Sequence, residues 1–216
     1  MSNPALPTGI LPILDADWLE RIAPASMPPE AVARLIHALA IPMVQLRAKG
    51  GEASARVFMT GWLKALRDHA PETKVILNDR LAWVLSLDAD GVHVGQEDTP
   101  VETCRNALGA GRIIGLSTHT LAEIRQAEAL GVDYIGFGPI FPTATKSDTH
   151  AVQGVETLKG MVEATRLPMV AIGGITLENL DAVAATGAHG AALISALWQA
   201  DWERRLSAAV GSWRRG

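Results

Sequence analysis

The sequence predicts an α/β protein built as a single (β/α)8 barrel, and three observations lead there. Short apolar runs alternate with helical patterns eight times along the chain. The runs are apolar on both faces, as parallel strands buried on each side should be. The length, 216 residues, suits such a barrel as one domain. A doubly wound open sheet is the competing architecture. The count of eight, and the lack of G-x-G-x-x-G after the first run, favour the barrel.

The elements follow in order. ILPIL (10–14) is the first strand. Pro28, Pro29 and Glu30 open a helix with Val32, Leu35, Ile36 and Leu39 on one face. PMVQL (42–46) is the second strand, followed by a helix over 53–69 that spaces Phe58, Trp62, Leu63 and Leu66 along one stripe. KVILN (74–78) and a short helix over 80–87 come next. GVHV (91–94) is the fourth strand, and Asp98-Thr99-Pro100 reads as a cap and proline that start the next helix. IIGLS (113–117) precedes a helix from Thr118 to Leu130, stopped by Gly131. YIGFG (134–138), PMVAI (168–172) and GAALIS (190–195) are the last three strands, with helices over about 154–166, 177–186 and 200–213. Residues 1–9 are expected to be a flexible lead-in, and the domain to span 1–216.

Net charge is −4, from 19 basic and 23 acidic residues. That acidity argues against general nucleic-acid binding, so any anion site must be local. One cysteine, Cys104, excludes a disulfide framework within the chain and points to a reducing cytoplasm. MSNPALPTG lacks a signal-peptide layout, and no apolar run approaches the length that spans a bilayer.

Barrel chemistry sits at the C-terminal ends of the strands. Polar residues collect there: Gln45, Arg47 and Lys49 after strand two, Asn78 and Asp79 after three, Gln96 and Asp98 after four, and Ser117, Thr118 and His119 after five. Strand six leads to Thr143, Thr145 and Lys146, strand seven to Gly173 and Gly174, and strand eight to Ser195. Two carboxylates beside several cations suit Mg²⁺ bridged to a diphosphate. Without a metal or bound anion, the aspartates would simply pair with the cations. The glycines of AIGGIT (171–176), with ALIS (192–195), suggest a second anion site where backbone N–H groups approach a phosphate. The residues alone thus predict a barrel enzyme handling a diphosphate with Mg²⁺ and a monophosphate, and leave the organic parts open.

VQLRAK (44–49), ILNDR (76–80), GVHVGQED (91–98), IIGLSTHT (113–120), DYIGFGPIFPTATKSD (133–148), AIGGI (171–175) and ALISAL (192–197) together resemble the thiamine phosphate synthase family. The resemblance implies a TIM barrel. It implies a transferase that joins 4-amino-5-hydroxymethyl-2-methylpyrimidine diphosphate to a thiazole phosphate, releasing pyrophosphate by a dissociative route. It implies that Gln45, Arg47, Lys49, Asn78, Ser117 and Lys146 hold the pyrimidine diphosphate, with Lys146, Arg47 and Ser117 closest to catalysis. Asp79 and Asp98 would hold Mg²⁺. Thr143, Thr145, Gly174, Ile194 and Ser195 would hold the thiazole phosphate. Two departures stand out. Ala48 replaces a glutamate common in the family, and LDADW (14–18) replaces its Thr-Asp pair, which leaves Asp15 and Asp17 without a role. A sister thiazole tautomerase on the same fold is the alternative; Asp98 and the intact Thr-Ala-Thr-Lys argue for the synthase. More distant rivals are other phosphate-binding barrels and a non-catalytic precursor-binding protein.

Other residues read more plainly. His93 reads as a structural histidine of the barrel interior, and Cys104 as packing rather than a nucleophile. His119 is balanced between a substrate contact and a helix start. Trp198, Trp202 and Trp213 read as packing on the barrel.

Overall fold

The computed structural model describes residues 8–22, 27–143 and 151–214. Eight parallel strands close a barrel in sequence order. They are β1 (Gly9–Asp15), β2 (Met43–Arg47), β3 (Lys74–Asn78), β4 (Gly91–Val94), β5 (Ile113–Thr118), β6 (Tyr134–Phe137), β7 (Met169–Ile172) and β8 (Gly190–Leu193). Around them lie α1 (Ala16–Ile22), α2 (Pro29–Ala38), α3 (Glu52–His69), α4 (Leu81–Ser86), α5 (Val101–Leu108), α6 (Leu121–Leu130), α7 (Gly154–Ala164), α8 (Leu180–Ala184) and α9 (Trp202–Trp213). The strands are buried along nearly their whole length because side chains fill the barrel on one face and helices cover the other. Helix α3 shows how the cover works: Ala55, Met59, Trp62, Leu63 and Leu66 bury one stripe at helical spacing.

The lower end of the barrel is pinned by a repeated device. Asp90, just before β4, accepts a hydrogen bond from the Val75 N–H at 2.9 Å and pairs with Arg67 at 2.8 Å. Asp133, just before β6, accepts from the Ile114 N–H at 2.7 Å and pairs with Arg105 at 2.7 Å. His189, just before β8, accepts the Met169 N–H through Nδ1 at 3.3 Å. In each case the side chain satisfies an N–H that the preceding strand's first residues leave without a ladder partner.

Three local readings need correction. The helix read from Thr118 starts at Leu121, because Thr118 still belongs to β5 and Thr120 caps α6 in a box with Glu123. Asp98 does not cap α5. Pro100 holds that position, and the Asp98 carboxylate instead accepts the Gly95 N–H at 2.8 Å. Helix α1 follows β1 directly, where no helix was read. Its start is set by Asp15, whose carboxylate accepts the Trp18 N–H at 2.8 Å. The tryptophans do pack on the barrel: Trp198 and Trp202 are buried, and the Trp198 indole donates to the Ile13 carbonyl at 2.6 Å. Cys104 is buried, and burial pushes its thiol up.

Candidate active site

The mouth at the strands' C-terminal ends carries two neighbouring groups of residues. The first spans the ends of β2 to β4. Gln45 and Arg47 lie in β2, which is buried throughout, so both side chains are held by the fold rather than by solvent. Arg47 is paired with Asp15, its register partner on β1. The same carboxylate caps α1, so one side chain fixes both the helix and the guanidinium. Asp15 was left without a role by the sequence. A buried aspartate opposite a buried arginine in strand register was the missing signal, and register is invisible in a single chain.

Asp79 sits just past β3 in the left-handed region, at φ +60. That conformation is uncommon for a residue with a side chain and marks a backbone held by its surroundings. Its N–H donates to the His93 carbonyl at 2.9 Å, and its carboxylate accepts from the Asn78 amide at 2.5 Å. Burial and the facing Asp98 carboxylate push Asp79 up to about 6, while Lys49 and Arg47 pull the other way. Asn78, Asp79, Asp98, Lys49 and Arg47 are therefore one electrostatic cluster. Among the described residues no group of three or more histidine, cysteine or carboxylate side chains forms a metal cage. The fold offers instead two facing carboxylates among cations.

The second group lines a cleft of about 600 Å³, counting the solvent at its mouth. Ser117, Thr143, Gly174, Ile194 and Ser195 all face it, together with His119. Gly174 has φ +64, and a β-carbon there would stand 2.5 Å from the Pro142 carbonyl oxygen and 2.6 Å from that of Phe141. Only glycine lets the two loops meet this closely. The His119 Nδ1 lies 2.6 Å from the Gly138 carbonyl, so that nitrogen carries the proton and the ring is locked at the cleft wall. Ser117 joins the two groups: it lines this cleft and also the enclosed space that Gln45 of β2 lines, and His93 links it inward toward β6. Thr145 and Lys146 lie outside the described residues.

A closed parallel barrel that gathers cations, carboxylates and a glycine-walled cleft on one mouth has, as a class, the form of an enzyme acting on small molecules. The family described as thiamine monophosphate synthase matches residues 20–197. The chain is 42% identical over 163 residues to the thiamine-phosphate synthase of Vibrio campbellii, covering 74% of this chain and 78% of that one. It is 46% identical over 160 residues to that of Bacillus mycoides, covering 73% of each. Among solved structures, thiamine phosphate pyrophosphorylase from Pyrococcus furiosus is similar with a TM-score of 0.75 and 31% identity, over 96% of this chain and 94% of that one. The chain belongs to the thiamine-phosphate synthase family of transferases. A 3-hexulose-6-phosphate synthase from Salmonella typhimurium, at 16% identity and a TM-score of 0.67, shares the fold.

Proposed function

We propose that the protein couples 4-amino-5-hydroxymethyl-2-methylpyrimidine diphosphate to a thiazole phosphate, giving thiamine phosphate and pyrophosphate. The observation that carries this reading is the adjacency of two unlike groups of polar residues on one mouth, with Ser117 between them. Gln45, Arg47, Lys49, Asn78, Ser117 and Lys146 bind the pyrimidine diphosphate. Thr143, Thr145, Gly174, Ile194 and Ser195 bind the thiazole phosphate.

Asp79 and Asp98 fit Mg²⁺. Burial and the facing Asp98 carboxylate together raise Asp79 to about 6, and two facing carboxylates suit a divalent cation better than they suit each other. When bound, the ion would offset charge on the departing diphosphate. The chain's own residues do the rest. Arg47 and Lys49 meet the charge that grows on the leaving group, and Asp15 keeps Arg47 from reorienting. The cleft holds the thiazole ring so that its nitrogen faces the pyrimidine methylene. The route is dissociative: the diphosphate leaves first, the aminopyrimidine ring stabilises the resulting cation, and the thiazole nitrogen attacks. No protein nucleophile takes part.

Two-substrate kinetics test the division of the mouth. Thiamine phosphate formation is followed by chromatography while each substrate is varied in turn. Lys49→Gln should raise KM for the pyrimidine diphosphate and leave that for the thiazole phosphate unchanged, and Ser195→Ala should do the reverse. Equal effects of either variant on both substrates would sink the assignment.

A further inference from the structure

Below the mouth, inside the barrel, lies a polar chain that the substrate-binding residues do not explain. The His93 Nε2 is 2.9 Å from the Ser117 Oγ, and its Nδ1 is 2.9 Å from the Tyr134 hydroxyl. Gln45 lines the same enclosed space. Tyr134, at 1% exposed, and His93, at 8%, are enclosed by Leu11, Ile13, Val170 and Ile172. The strands are cut to admit them. His93, Gly115 and Tyr134 stand in one register row across β4, β5 and β6. A β-carbon on Gly115 would lie 2.3 Å from the Tyr134 Cζ and 2.5 Å from the His93 Nδ1. The central strand gives up its side chain so that its two neighbours can meet over it.

The donors and acceptors in this chain run one way. The Tyr134 hydroxyl is buried, and a buried O–H needs an acceptor; the His93 Nδ1, 2.9 Å away, is in reach. The phenol proton then goes to the His93 Nδ1. In the neutral imidazole one ring nitrogen accepts and the other donates. Nδ1 accepts, Nε2 carries the hydrogen, and Nε2–H donates to the Ser117 Oγ. The Ser117 oxygen is thereby occupied as an acceptor, and its own O–H is left to donate.

We propose that Tyr134 and His93 are positioning residues whose directed hydrogen bonds make Ser117 a donor to an anionic substrate oxygen rather than a nucleophile. The proposal rests on the reading of Ser117 as a diphosphate ligand. The opposite polarity would send the Ser117 proton to His93 and turn the pair into an activated nucleophile.

Two measurements test this without turnover. The affinity for inorganic pyrophosphate, with Mg²⁺ present, is measured by calorimetry for the wild type, Tyr134→Phe, Ser117→Ala and the double variant. Each single variant should bind about tenfold more weakly, the loss of one charge-assisted hydrogen bond. The double variant should bind no more weakly than either. Multiplying losses would overturn the proposal, as would unchanged affinity in Tyr134→Phe. The second measurement is ¹⁵N NMR of the resting wild-type protein with labelled histidine, with the His93 ring assigned through its contacts to the Tyr134 ring. A protonated Nε2 and bare Nδ1 support the polarity; a protonated Nδ1 with bare Nε2 overturns it. This arm stands even if Tyr134→Phe fails to fold. A protein that holds the Nε2–H tautomer and binds pyrophosphate through Ser117, yet makes no thiamine phosphate, would overturn the synthase reading and support the relay.

Discussion

Replacing Asp15 with asparagine should destabilise the protein far more than the change of one atom suggests. Asp15 and Arg47 side chains are 4% and 6% exposed, and they are each other's ion-pair partner. Asparagine keeps an oxygen to accept the Trp18 N–H, so the start of α1 survives. What it loses is the negative charge, which takes from a buried guanidinium the carboxylate bonded to it. Removing one partner of a buried pair costs about 3–5 kcal/mol. For a chain of this size each 1 kcal/mol lowers Tm by about 2–4 °C, so a fall of roughly 6–20 °C is expected. Asp15→Ala also removes the cap and should lose about 1 kcal/mol more. Urea unfolding of Asp15→Asn, Arg47→Met and the double variant makes the argument sharp. The double variant should be more stable than the summed single losses predict, by at least about 1 kcal/mol, since neither charge is then left alone. Additivity within about 0.5 kcal/mol would refute the reasoning.

Three further expectations follow from the geometry. Asp98→Asn keeps an acceptor for the Gly95 N–H but weakens the proposed Mg²⁺ ligand; turnover should fall at least about a hundredfold and the Mg²⁺ requirement rise, measured by titrating the metal in the synthase assay. Asp90 is depressed: burial raises it, but the Val75 N–H, Arg67 and Lys74 outweigh burial. Its contribution is therefore present above the unfolded value of 3.8 and is lost as pH falls through the lower folded value. Asp90→Asn should cost on the order of 1 kcal/mol at pH 7 and the gap to wild type should close in acid, as denaturant melts at the two pH values will show. Gly174→Ala forces a side chain into a left-handed backbone, at about 1–2 kcal/mol, and against two carbonyl oxygens; thermal melts should show the loss, and KM for the thiazole phosphate should rise.

Most of the architecture was legible in the chain because the strands are apolar on both faces. KVILN and GVHV are β3 and β4 residue for residue. Glycine ended α6 where expected, in the left-handed region. Helix α1 was not legible, since its seven residues bury none fully and its cap, Asp15, serves a second partner across the sheet. The strand-end polar residues could be collected from the order of elements alone, because a barrel sends every strand end to one mouth. Their inner supports could not. Asp15 meets Arg47, and His93 meets Tyr134, only through register between strands 32 and 41 residues apart in the chain. His93 was rightly read as interior, yet its reach to Ser117 depends on Gly115 lying between it and Tyr134.

In the proposed reaction two phosphate-bearing substrates meet on one mouth and are joined there. Pyrophosphate release, measured with each substrate alone and with both, in Mg²⁺ and in EDTA, tests it most directly. Fast release is expected only with both substrates and the metal, in step with thiamine phosphate. Release from the pyrimidine diphosphate alone at the same rate, or none under any condition, would contradict it.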